Sequence, residues 1–200
     1  MLSQAVIFLL DTVVTAFIAL LLLRFYLQLL RVPQGNPLTP FVVTATNFLV
    51  LPLRRVIPGL WGLDLATLVA AWFMQWLLAL AVEALSGLPL ARGSGLMYLG
   101  FGLWAAVELL RMSLYLLMLV QVMLFVVSLV NPFSPFMAVL EALSRPFTRQ
   151  VRRVIPPIAN VDLSPMVILI VCQLVLMLPV AWLEQAAKEM IHAGMGGFGL

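Results

Sequence analysis

The chain has 200 residues, of which 64% are hydrophobic and only 10% charged, with a net charge of +3. A soluble domain carries roughly 25% charged residues, so this composition excludes a water-soluble globule and requires an integral membrane protein. One cysteine and one histidine support neither a disulfide framework nor a closed metal or bis-histidine haem site, and the small positive charge lacks the basic and aromatic interleaving of a nucleic-acid surface.

The first apolar block covers residues 5–30, enough to cross a hydrocarbon core of about 30 Å at about 1.5 Å per residue. Its leading MLSQ lacks basic residues and Asp11 interrupts the run, so it reads as a mature helix, not a cleaved signal. NPLTPF follows at 36–41. There Thr39 and Pro40 predict the N-cap and first turn of a short surface helix. That helix, FVVTATNFLV, is nearly uncharged and is expected to bury more of its circumference than its counterpart in the second copy, packing against protein. It runs to RRVIP at 54–58, where Pro58 stops it, and Asp64 opens a second span over 63–85. Trp72 and Trp76, one turn apart, are expected to pack or face lipid, and Trp61 to sit in an interfacial belt.

The third block, 97–130, would extend roughly 50 Å as a helix, more than one span needs. It either projects from the membrane or begins with an interfacial turn, and Glu108 with Arg111, three apart, would mark the boundary. NPFSPF at 131–136 opens a second surface helix. Phe136, Leu140, Leu143, Phe147 and Val151 form its apolar side, with Glu141, Arg145, Thr148, Arg149 and Arg152 opposite, directed to anionic head groups. RRVIP returns at 152–156, Asp162 follows, and 165–183 is the fourth block. Four spans are expected, with five left open. Asp11, Glu83 and Glu184 read as interface residues, although a carboxylate as deep as Asp11 is also a functional candidate.

The chain repeats itself. Asn36 and Pro37 correspond to Asn131 and Pro132, while Arg54, Arg55, Pro58 and Asp64 correspond to Arg152, Arg153, Pro156 and Asp162. The arginine-to-aspartate spacing is identical, whereas the asparagine-to-arginine segment is nearly one turn longer in the second copy. The fold class is therefore an all-α membrane protein of two parallel repeats, each transmembrane helix, interfacial helix, transmembrane helix. The copies occupy 1–90 and 91–187, and 188–200, with its glycine-rich end, is a flexible tail. Arg24, Arg31, Arg54, Arg55, Arg145, Arg149, Arg152 and Arg153 all fall at the ends carrying RRVIP, which places both RRVIP loops in the cytoplasm and both termini outside.

Two sets of residues are candidate sites. At the RRVIP corners the arginines either anchor the chain to lipid phosphates, or pair with Asp64 and Asp162 as helix-capping aspartates that make rigid corners for a partner or headgroup. Within the spans, Gln75 and Gln173 stand equally far from Asp64 and Asp162, near the midplane, and Gln28 and Gln121 occupy related positions. These amides either bond between helices, each for about 0.6–2 kcal/mol, or line a path for a solute. No filter-like TVGYG run occurs, and GxSxG, HExxH and GxxxxGK[ST] are absent. No enzyme, cofactor or metal site is expected.

The segments LLLRFYLQLL, NPLTPFVV, LPLRRVIPGLWGLDLA, NPFSPF and RPFTRQVRRVIPPIANVDLSP resemble the YggT family of bacterial membrane proteins, also called YlmG, over nearly the whole chain. That resemblance implies the inner membrane and associates the chain with osmotic tolerance and potassium uptake, with cell division, or with haem attachment to a cytochrome. Three functions remain open: a scaffold or assembly factor that contacts lipid and membrane-protein partners, including further copies of itself; a small transporter or channel component for potassium; and a cytochrome assembly factor.

Overall fold

The computed structural model describes residues 2–33, 35–57, 59, 63–88, 90–131, 133–154 and 164–196. Pro58, Trp61, Pro132, Pro156 and Asp162 lie outside the described residues. Those described are helical, without a strand. Four helices are long and apolar enough to cross a membrane: Ser3–Leu29, Leu65–Leu85, Gly95–Ser128 and Ser164–Gly194. The chain is an all-helical, multi-pass membrane protein.

Helices α1 (Leu2–Leu29) and α3 (Leu65–Leu85) pack through Ile18, Leu21 and Leu22 against Ala70, Ala71 and Leu78. Lipid tails are as apolar as leucine, so association rests on close fit. The alanines along the buried stripe of α3, Ala66, Ala70, Ala71 and Ala79, allow that approach. Helix α2 (Leu38–Arg54) contacts both. It buries only Val42, Thr46 and Val50, which the four-residue spacing stacks on one side, and leaves Phe41, Phe48 and Leu51 exposed. The expectation that α2 buries more of its circumference than the second surface helix, which buries Val139, Leu143, Ser144 and Thr148, is thus corrected: an outer face of phenylalanine and leucine suits the edge of a bilayer.

The turn out of α1 has two bonds, Val32 N–H to Leu27 O at 3.0 Å and Arg31 N–H to Gln28 O at 3.1 Å, the pattern of a Schellman motif. Leu27 and Val32 complete it by packing in one apolar cluster. Arg31 occupies the left-handed position, with φ 49°, where glycine is usual.

Helix α4 (Gly95–Val130) runs 36 residues without interruption, about 54 Å, so the third block is one continuous helix, preceded by a single 3-10 turn at Leu90–Arg92. Its partner is the fourth span, built from α6 (Ser164–Val175), a π-turn at Leu176–Val180 and α7 (Ala181–Gly194). Pro179 lies in that turn; proline lacks the N–H and crowds the carbonyl four residues back, and a widened turn accommodates both.

The sequence ended this span at 183 and made 188–200 a flexible tail. Instead the helix continues to Gly194, because Ala187, Ile191 and Gly194 are buried and pack against α4. Gly194 O accepts from both the N–H and the Oγ of Ser94, at 2.9 and 2.8 Å, locking the two helix ends together. A Cβ at Gly194 would fall on the backbone of Met97, 2.6 Å from its Cα, and one at Gly100 would lie 2.8 Å from Ile191 N. We expect Gly194→Ala to cost about 1–3 kcal/mol through overpacking, read as a lower unfolding midpoint in detergent. Gly95→Ala, with nothing within 4 Å, should leave the midpoint unchanged or raise it.

Helix α5 (Pro135–Val154) starts as expected, with Ser134 Oγ accepting from Phe136 N–H at 3.3 Å ahead of a first-turn proline. Its buried stripe is Val139, Leu143, Ser144 and Thr148. Thr148 therefore belongs to the packed side and not to the charged one, because its hydroxyl meets Ser144 at 2.5 Å. Phe136 and Phe147 are nearly half exposed.

Candidate functional site

Three helices meet at Asp64. It stands just before α3 and caps it, accepting from Thr67 N–H at 3.4 Å and Thr67 Oγ1 at 2.5 Å. Arg54, at the end of α2, forks onto the same carboxylate: Nε donates to Oδ1 at 3.2 Å and Nη2 to Oδ2 at 2.5 Å. Nη2 also donates to Gln28 Oε1 of α1 at 3.1 Å. Burial would raise the carboxyl's pKa, but the bonds from Arg54 and Thr67 outweigh it and hold Asp64 below the usual carboxylate range.

Behind this fork lies Arg24, 2% exposed. Its Nη1 donates to Val43 O at 3.3 Å, Thr46 Oγ1 at 2.8 Å and Asn47 Oδ1 at 3.0 Å, pinning α1 to α2. Its Nε lies 4.0 Å from Asp64 Oδ2. The corner thus joins α1, α2 and α3 through charge-assisted bonds, which run at roughly twice the strength of neutral ones. Arg55 is exposed and takes no part in the fork.

Asn36 is buried, with its Oδ1 accepting from Thr39 N–H at 2.9 Å and its Nδ2 donating to Pro33 O at 2.5 Å. It does the capping that the sequence assigned to Thr39. Helix α2 begins at Leu38, two residues earlier than a cap at Thr39 would start it, with exposed Pro37 before it, so Thr39 is already helical. In the second copy Asn131 is exposed and accepts from Phe133 N–H at 3.2 Å. Arg152 and Arg153 are exposed at the end of α5.

The second copy keeps one corner contact with different chemistry. Gln121, fully buried, donates Nε2 to Ser144 Oγ at 2.8 Å and accepts from the same hydroxyl at 3.1 Å. Ser144 stands eight residues before Arg152, as Thr46 stands eight before Arg54, and each meets a polar side chain of the preceding span. A neutral amide–hydroxyl pair replaces a guanidinium–hydroxyl pair.

The four amides occupy four environments. Gln28 bonds Arg54 and Gln121 bonds Ser144. Gln75 is buried with Oε1 unpartnered, whereas Gln173 is exposed. Equal distance from the aspartates in sequence does not give them the same surroundings: α3 is packed between α1 and α4, while α6 leaves one side open beyond α4 and α5. Asp11 is exposed on α1.

A further ionic group joins α4 to α7. Arg111 donates Nη1 to Glu108 Oε2 at 2.8 Å and Nη2 to Glu184 Oε2, and Lys188 Nζ lies 2.7 Å from Glu184 Oε1. Glu184 bridges two spans. On α3, Trp72 and Trp76 stack with ring centroids 6.1 Å apart, and their Nε1–H groups donate to Gly102 O at 2.9 Å and Tyr98 O at 3.3 Å. Among the described residues no group of three or more His, Cys, Asp or Glu gathers to hold a metal.

The CCB3/YggT family model matches residues 3–85 and 103–183, one stretch in each repeat. The chain belongs to the CCB3/YggT family. It is 32% identical over 189 residues to the uncharacterised protein YggT of Escherichia coli K12, covering 94% of this chain and 95% of that one. The uncharacterised Pseudomonas aeruginosa protein PA0392 is 32% identical over 179 residues, 88% and 89% of the two chains. A Vibrio alginolyticus relative, described by its position 3′ of proC, is 32% identical over 166 residues, 82% and 86%. No solved structure matches the chain. The corner at Asp64 falls inside the first matched stretch and the Gln121–Ser144 contact inside the second.

Proposed function

We propose that this CCB3/YggT protein is a non-enzymatic scaffold of the bacterial cytoplasmic membrane, with its arginine-rich end in the cytoplasm, that holds membrane-protein partners during osmotic adaptation and envelope or division organisation. The observation that carries this reading is α5. One side of the helix is fixed to α4 through Gln121, Ser144 and Val139, while Glu141, Arg145, Arg149 and Arg153 are exposed. A charged helix rigidly displayed at the membrane surface is a docking element. The arginines support the orientation, and the family resemblance supports the physiological setting.

One observation favours transport as a second reading: Gln75 Oε1 is buried inside a span without a partner, and such a group calls for an explanation. Proteoliposomes under an osmotic step separate the two. A scaffold gives no potassium flux above empty vesicles, and Arg145→Gln with Arg149→Gln abolishes osmotic complementation while leaving insertion intact. Flux that disappears in a Gln75→Leu, Gln173→Leu variant would sink the scaffold reading.

A further inference from the structure

A cavity of about 470 Å³ opens where α1 turns toward α2, lined among others by Arg24, Gln28, Arg31, Pro33 and Thr39. We infer that this cavity binds a phosphate group at the level of the lipid head groups, held by Arg24 and Arg31. The inference stands apart from the scaffold proposal and would hold for a transporter as well.

Charge comes first. Arg24 and Arg54 gather on the single carboxylate of Asp64, which leaves one positive charge uncompensated in the corner, and Arg31 adds another at the cavity wall. A buried cation without a matching anion is costly, and a phosphate supplies the missing charge. Hydrogen bonding points the same way. Arg24 is 98% buried by its 2% exposure, yet its Nε–H has no hydrogen-bond partner. Gln28 and Thr39 add polar side chains to the wall.

Position then selects the ligand. The first apolar span ends at Leu29, and the cavity is built from residues on either side of that point, where head-group phosphates lie. Finally, Arg31 holds the left-handed turn position at φ 49°, where glycine would be free of the steric penalty. Arg31 nonetheless lines the cavity, at the expense of backbone comfort.

That strain makes a clean test. Arg31→Gly removes the guanidinium while relieving the turn, so the variant should melt at the same or a higher temperature. Full-length protein in nanodiscs of phosphatidylcholine, with and without phosphatidylglycerol, is assayed by native mass spectrometry for lipid retained on the protein. The expected result is preferential retention of phosphatidylglycerol, weakened about tenfold in Arg31→Gly by loss of a charge-assisted bond, and weakened further in Arg24→Gln if that variant folds. If inorganic phosphate displaces the lipid, or protects the wild type and not Arg31→Gly against heat, the same site takes a free phosphate. Retention of neither lipid, without any effect of inorganic phosphate, overturns the inference. So does a folded Arg31→Gly protein that binds like the wild type.

Discussion

Asp64→Ala should destabilise the protein by about 3–5 kcal/mol, the usual loss when one partner of a buried ion pair is removed and the other charge stays behind. Here two guanidinium groups stay behind: Arg24, nearly inaccessible, and Arg54, which also loses its fork. The cap of α3 goes with them, and the N–H of Thr67 loses its acceptor. The measurement is the unfolding midpoint in mild detergent. A double variant, Arg24→Leu with Asp64→Leu, removes both charges and should recover part of the loss, because the singles share one interaction and are not additive. Two singles whose effects simply summed would show that the pair is not coupled. Acid should reach the same point in the wild type. The folded pKa of Asp64 is depressed, so its contribution is complete above the ordinary aspartate value of about 3.9 and disappears as pH falls through the lower folded value.

Arg111→Leu tests the other ionic group and with it the position of the membrane along α4. Glu108 would lose its partner and Glu184 would keep only Lys188. If the group lies in the low-dielectric region, stranding a carboxylate there costs about 3 kcal/mol or more. An exposed group of this kind is worth only about 0–1 kcal/mol. Arg111 lies about 29 Å of helix rise from Val130, close to one hydrocarbon thickness. We expect the larger loss, since Arg111, Glu108 and Glu184 are each less than a quarter exposed and face a neighbouring span. A loss under 1 kcal/mol would place the group in water and the bilayer boundary beyond it.

The corner was partly legible before any coordinates. Arg54 and Asp64, ten residues apart on either side of a proline, anticipate an ion pair, and the structure has it. Arg24 was read only as a topological charge, though an arginine within an apolar run announces a buried partner; which one could not be read, since Thr46 and Asn47 become its acceptors only after α2 folds back. Helical period gave the outline of α5 but misassigned Thr148, because a hydroxyl looks polar in a pattern and becomes a buried partner once Ser144 and Gln121 stand beside it. Gln173 illustrates the opposite limit. Spacing along the chain pairs it with Gln75, and only the number of neighbours around α6 decides whether it meets protein or is left exposed.

The π-turn at Leu176–Val180 restricts how the gene itself can change. Cys172 and Val180 are both buried, eight positions apart, where two ordinary turns would place the next inward residue about seven on. The wide turn therefore works as a one-residue insertion that resets the angular phase of everything after it. Deleting a codon there would restore regular geometry and rotate α7 by roughly 100°, carrying Gly194 away from Met97 and Glu184 away from Arg111. Substituting Pro179 alone would leave the phase intact, because it is chain length and not the proline ring that keeps count.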